Sequence, residues 1–108
     1  MSIFDNREQA FENKFANDQE LQFKVIARRN KLLGLWVAEK FGLAGQAAVD
    51  YATSVVQADF QKPGDSDVIE KILADAKNNN VAITEAAIKA ELVRLLPIAK
   101  TQIAQQAA

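Results

Sequence analysis

The sequence contains neither cysteine nor histidine. It therefore cannot form a disulfide, a Cys/His zinc site, a thiolate nucleophile or an imidazole base, and it has no histidine to ligate haem. Its serines and threonines have no histidine to activate them, and its glycines do not form a phosphate-binding loop followed by lysine. We predict a protein that is not an enzyme, with no catalytic residue, no metal site and no cofactor.

Long apolar runs are also missing. No stretch approaches the roughly 20 apolar residues that span a bilayer. The N-terminus carries acids where a signal peptide would have a basic segment followed by an apolar one. These absences predict a cytoplasmic protein with no direct membrane insertion.

Helix-breaking residues are few, because only four glycines and two prolines occur among 108 residues. Alanine, the strongest helix former, occurs 19 times. A chain of this length corresponds to one domain. Apolar residues recur at helical spacing and no segment alternates convincingly, so we predict an all-α four-helix bundle. The predicted helices span residues 18–41, 46–60, 67–78 and 84–104.

Several residues mark the ends of these helices. Asn17 or Asp18 is suited to cap the first helix, and Gly42 to end it in a left-handed conformation. Asp67 and Thr84 are predicted N-caps of the third and fourth helices. The Asp65-Ser66-Asp67 run lacks the spacing of a calcium loop, so capping explains it better than a metal site does.

The first predicted helix has two apolar arcs and is therefore expected to be central, with a packed neighbour on each side. Gly34 lies in its middle, where glycine costs about 1 kcal/mol relative to alanine. That cost predicts a close approach of another helix at Gly34. One arc contains Leu21, Val25, Leu32 and Trp36, and the other contains Phe23, Ile26, Leu33, Val37 and Phe41.

Residues 1–17 differ from the rest of the chain. Phe4, Phe11 and Phe15 would lie within about 40° of one another on a helix, as a narrow aromatic stripe suited to a groove. The asparagines of this segment are mediocre helix formers. We therefore predict an N-terminal amphipathic arm, residues 1–17, that is disordered or marginally helical when free, attached to a bundle of residues 18–108. The alternative is that the phenylalanines pack on the protein's own bundle or extend its first helix backwards.

Charge is unevenly distributed although the net charge is only −1. Residues 1–20 carry five acids and two bases, whereas residues 21–41 carry five bases and one acid. An alternative function follows from this excess: a helical module that binds the phosphates of a nucleotide or a nucleic acid. A purely structural adaptor also stays open. The candidate phosphate-binding residues are Lys24, Arg28, Arg29 and Lys31.

Longer motifs carry a family resemblance. They are FDNREQAFENKFA at residues 4–16, ARRNKLLGLW at 27–36 and VQADFQKPGDSD at 56–67, with Phe23-Lys24 and Tyr51-Ala52 between them. Over nearly its whole length the chain resembles the ζ-subunit family, the ATPase inhibitor subunits of alphaproteobacterial F-type ATP synthases. The RRNxLLGxW run is the most specific part of this resemblance.

The resemblance implies an inhibitor whose N-terminal helix inserts between the catalytic α and β subunits and blocks ATP hydrolysis, while the bundle anchors the complex. It implies α, β and also γ as partner subunits, and a location peripheral to the inner membrane through the ATP synthase. Weak nucleotide binding stays open beside this function, whereas nucleic acid is not expected as a partner. The inhibitory residues it implies, with Phe11 completing the stripe, are Phe4, Asp5, Arg7, Glu8, Phe11, Glu12, Lys14 and Phe15.

Overall fold

A computed structural model describes residues 12–59 and 64–107. In these ranges the chain is helical and has no strand, which confirms the predicted all-α fold. Residues 12–17 form a short helical segment ahead of the bundle. The helices of the bundle are α1 (Gln19–Lys40), α2 (Gly45–Ala58), α3 (Ser66–Asn78) and α4 (Glu85–Ala107).

Local signals set both ends of α1. The side chain of Asp18 accepts a hydrogen bond from the Leu21 amide at 3.1 Å, so Asp18 is the N-cap. At the other end Gly42 has a φ of 76°, and the amide of Leu43 donates to the carbonyl of Ala38 at 2.9 Å. This is the left-handed helix stop that was predicted.

The predicted cap of α3 is wrong by two residues. The N-cap is Asp65. Asp67 lies in the first turn, where a carboxylate interacts favourably with the positive end of the helix dipole. Asp65 makes no side-chain capping bond, because its carboxylate accepts a hydrogen bond from Arg29 of α1 at 2.5 Å. Thr84 does cap α4 as predicted, since its hydroxyl accepts from the Ala87 amide at 3.1 Å.

The central position predicted for α1 is confirmed, because α1 packs mainly against α2 and α4. The backbone of α2 at Ala52 approaches Gly34 so closely that a side chain at Gly34 would have no room. The predicted close approach is therefore confirmed. Since a short turn joins α1 to α2, the two helices run antiparallel from this contact.

Two apolar clusters form the core. The smaller one joins the N-terminal half of α1 to the C-terminal half of α4, through Leu21, Val25, Ala99 and Ile103. The larger one draws on all four helices. Its members are Leu33, Val37, Val55, Val68, Ile69, Ile72, Ile88, Leu92 and Leu95.

The predicted burial of Phe23 on the second arc of α1 is wrong, because its side chain is 53% exposed. The reason is the length of α2. That helix ends at Ala58, six positions beyond Ala52, whereas Phe23 lies eleven positions before Gly34. The antiparallel neighbour therefore ends before it reaches the level of Phe23.

Candidate functional site

Residues 12–17 form an element separate from α1. Asp18 lies between this segment and α1, and its backbone is extended, with a φ of −116° and a ψ of 106°. An α-helix cannot continue through these angles. The helical segment is therefore not a backward extension of α1.

Phe15 and Lys100 attach this segment to the bundle. The ring of Phe15 is half-buried against the smaller cluster, which α1 and α4 form together. The ammonium of Lys100 lies 4.4 Å from the centroid of this ring, a cation–π contact. It also lies 3.4 Å from a carboxylate oxygen of Glu12. One lysine of α4 thus contacts two residues of the segment, Glu12 and Phe15.

The C-terminal end of the segment is hydrogen-bonded to α1. The side-chain amide of Gln22 donates to the carbonyl oxygen of Phe15 at 2.8 Å and to that of Ala16 at 3.2 Å. The last carbonyls of a helix have no partner within the helix, so this amide satisfies two of them. The segment therefore contacts α1 and α4 together.

The implied inhibitory residues fall in two groups. Phe4, Asp5, Arg7, Glu8 and Phe11 lie outside the described residues. Of the others, Glu12 and Lys14 are exposed and Phe15 is half-buried. The alternative that the phenylalanines pack on the protein's own bundle therefore holds for Phe15, and it is untested for Phe4 and Phe11.

A basic groove lies along the N-terminal half of α1. It brings together three of the four candidate phosphate-binding residues in an open volume of about 490 Å³. The Arg28 guanidinium donates to the side-chain oxygens of Gln102 at 2.9 Å and Gln106 at 3.1 Å, so α4 fixes its position. The groove is lined by Leu21, Phe23, Lys24, Ala27, Arg28, Lys31, Val56, Ile103 and Gln106.

Arg29, the fourth candidate, is not part of this groove. Its side chain is only 6% exposed and pairs with Asp65 at the start of α3. It also donates to the side-chain oxygen of Asn30, which is fully buried. The structure therefore assigns Arg29 to the packing of α1 against the α2–α3 corner.

A carboxyl group of this corner has a shifted pKa. Burial raises the pKa of Asp59, and the nearby carboxylates of Asp65 and Asp67 raise it further. Arg29 and Asn30 oppose this shift, because they favour the charged carboxylate. Three carboxyl groups and one guanidinium therefore lie close together at this partly buried corner.

Tyr51 is a second shifted group, and it joins α2 to α3. Its hydroxyl donates to a carboxylate oxygen of Asp75 at 2.8 Å, and Lys71 donates to the same oxygen at 3.0 Å. Burial and the Asp75 carboxylate raise the pKa of Tyr51, so the phenol stays protonated and remains a donor. Its role is structural.

Sequence reasoning missed Gln22, Lys100 and Asp59. Lys100 had a readable signal, because it follows Leu96 at i+4 and so lies at the edge of the apolar face of α4. Among the residues that the structure describes, no cluster of metal-ligating side chains forms. No helix within the same ranges is long and apolar enough to cross a membrane.

Comparison with known proteins agrees with this anatomy. The family description "ATPase inhibitor subunit zeta" matches residues 1–102. A protein solved by solution NMR is 44% identical over 80% of this chain and 98% of its own, and the two folds superpose with a TM-score of 0.71. A search of curated proteins returned no match.

The described residues form a small helical bundle with a separate helical segment ahead of it. The family match identifies the class of protein: the chain belongs to the ATPase inhibitor subunit zeta family. Membership of this family supports the general role of an ATPase inhibitor and implies an association with ATP synthase.

Proposed function

We propose that this protein inhibits ATP hydrolysis by inserting its N-terminal arm, as a helix, between the catalytic α and β subunits of an F-type ATP synthase. The bundle, residues 18–108, would hold the arm at the enzyme, with γ as a further contact. No covalent bond is made or broken by this chain. The inserted helix acts as a wedge.

One observation carries this proposal beyond family membership. Residues 12–17 are helical, yet a break at Asp18 separates them from α1. A helix that is separate from α1 can leave the bundle without unwinding α1. Its attachment consists of the side-chain contacts of Phe15, Lys100 and Gln22, which are individually modest.

The sequence of the arm supports a groove as its destination. Phe4, Phe11 and Phe15 form one narrow apolar stripe when the segment is helical. Glu12 and Lys14, which are exposed here, are available to pair with charges on the walls of a crevice. Burial of the stripe would offset the entropy lost when the arm becomes ordered.

The proposed inhibition traps one conformation. Hydrolysis requires the catalytic interface to open and close, and a helix seated in that interface opposes the change. Such inhibition does not compete with ATP for its site. Raising the ATP concentration is therefore not expected to relieve it.

The test is an ATPase assay on the purified synthase with the full chain and with residues 18–108. We expect the full chain to inhibit and the truncated chain to fold without inhibiting, with its helix content checked by circular dichroism. Undiminished inhibition by residues 18–108 would contradict the proposal.

A second candidate function is the binding of a nucleotide phosphate in the basic groove. It is favoured by the convergence of Lys24, Arg28 and Lys31 beside the exposed ring of Phe23. We infer a site on α1 that excludes Arg29, since Arg29 is committed to Asp65. An ATP titration at two salt concentrations tests it, because phosphate contacts weaken with salt. Binding that Lys31→Gln leaves unchanged would argue against this site.

A further inference from the structure

The contacts that hold residues 12–17 on the bundle use side chains that the proposed inhibition also needs. Glu12 and Phe15 belong to the proposed inhibitory set, yet both contact Lys100 of α4. The face of Phe15 that packs on α4 cannot fill a pocket of another protein at the same time. The contact within the chain and the contact with the enzyme therefore exclude each other.

We propose that Lys100 is an intramolecular latch, which holds residues 12–17 on α4 and reduces the fraction of molecules whose arm is free to bind the ATPase. This inference rests on the proposed function and adds its regulation. A protein that binds only from its open state has an apparent affinity reduced by the fraction that is open. Inhibition then depends on the strength of the latch as well as on the fit of the arm.

The environment of Lys100 suits this role. Its side chain is only 23% exposed, so the ammonium is partly shielded from water and from salt. A cation–π contact and an ion pair of this kind each shift an equilibrium by about two- to fivefold. Together they are expected to favour the closed state by about tenfold.

Lys89 provides a matched control on the same helix. Its ammonium lies 3.5 Å from Glu85, one turn away within α4, and its side chain is 62% exposed. The substitutions Lys89→Glu and Lys100→Glu change the net charge equally. Only the second removes contacts to residues 12–17.

The first experiment measures amide hydrogen exchange of residues 12–17 by NMR in the full chain. We expect Lys100→Glu to speed exchange by about tenfold and Lys89→Glu to leave it unchanged. A Glu12→Lys, Lys100→Glu double variant should restore part of the protection, because the ion pair is reversed while the cation–π contact stays lost. Unchanged exchange in Lys100→Glu, or equal acceleration in Lys89→Glu, would overturn the latch.

The second experiment measures the concentration that half-inhibits the purified synthase. Lys100→Glu should inhibit at a concentration about tenfold lower than the wild-type chain, and Lys89→Glu at the wild-type concentration. Should Lys100→Glu not fold, Lys100→Met removes the charge and keeps the aliphatic stem. Equal or weaker inhibition by a folded Lys100 variant overturns the latch and leaves the proposed function standing. A wild-type chain that does not inhibit contradicts the proposed function, and the exchange data still decide whether the latch exists.

Discussion

A methyl group on Gly34 of α1 would lie 2.6 Å from the Cα atom of Ala52 in α2. The obstructing atom belongs to the backbone, so a rotamer change cannot relieve the clash. The missing side chain at Gly34 therefore sets the distance between the two helices. Everything that α2 positions, including the α2–α3 corner, depends on this contact.

Gly34→Ala is expected to lower the free energy of unfolding by about 2 kcal/mol, because α1 and α2 must move apart. Helix propensity alone predicts the opposite sign, a gain of about 1 kcal/mol. Urea denaturation at 25 °C distinguishes the two. As a control, Ala90→Gly at an exposed position of α4 should lose about 1 kcal/mol. A Gly34→Ala variant at least as stable as the wild type would refute the close approach.

Arg29→Met is expected to destabilise the bundle by about 1–3 kcal/mol at neutral pH. The substitution leaves Asp59 and Asp65 without their cation. This loss is smaller than the roughly 3–5 kcal/mol expected when a fully buried pair loses one partner, because the Asp65 side chain is 40% exposed. Lys89→Met, which removes an exposed pair with Glu85, should change stability little. Equal effects of the two substitutions in thermal unfolding would contradict a special role for Arg29.

Asp59→Asn should stabilise the protein more at pH 7 than at pH 4. The pKa of Asp59 is raised on folding above its ordinary value of 3.8, so the folded chain binds a proton more tightly than the unfolded chain. The stabilisation linked to Asp59 is complete below pH 3.8 and is lost as the pH rises through the raised pKa. Asparagine stays neutral throughout. A stability difference that is constant between pH 4 and pH 7, measured by urea denaturation, would show that Asp59 is not shifted.

Phe11→Ala should raise the half-inhibitory concentration on the purified synthase by about 30-fold, or about 2 kcal/mol of binding, if Phe11 is a buried anchor of the proposed interface. Phe23→Ala is the matched control, since it removes the same ring from an exposed position of α1. Equal potency of Phe11→Ala and the wild-type chain would remove Phe11 from the interface.

The sequence predicted those parts of the fold that local chemistry decides. Asp18 and Gly42 bound α1, and both act within one helical turn. The close approach at Gly34 could also be predicted, because the cost of a glycine in the middle of an apolar helix is offset when a neighbouring helix packs closely there.

Contacts between distant residues decided the rest. Asp65 replaced Asp67 as the N-cap of α3, and its carboxylate turns to Arg29, 36 positions away in the chain. A charge pattern placed Arg29 with its basic neighbours in α1, although only the packed fold shows that it is buried. The role of Lys100 depends on Glu12, which is 88 positions away.

The extended residue Asp18 decides how a pull on the N-terminal segment reaches the bundle. Rotation about its φ angle redirects residues 12–17, while the backbone hydrogen bonds of α1 and the capping bond from the Asp18 side chain stay in place. Asp18 is thus the point about which the segment can reorient. The contacts of Lys100 and Gln22 are the first to resist a force on the segment. Once these yield, the segment can follow a moving surface while the globule behind it keeps its own orientation.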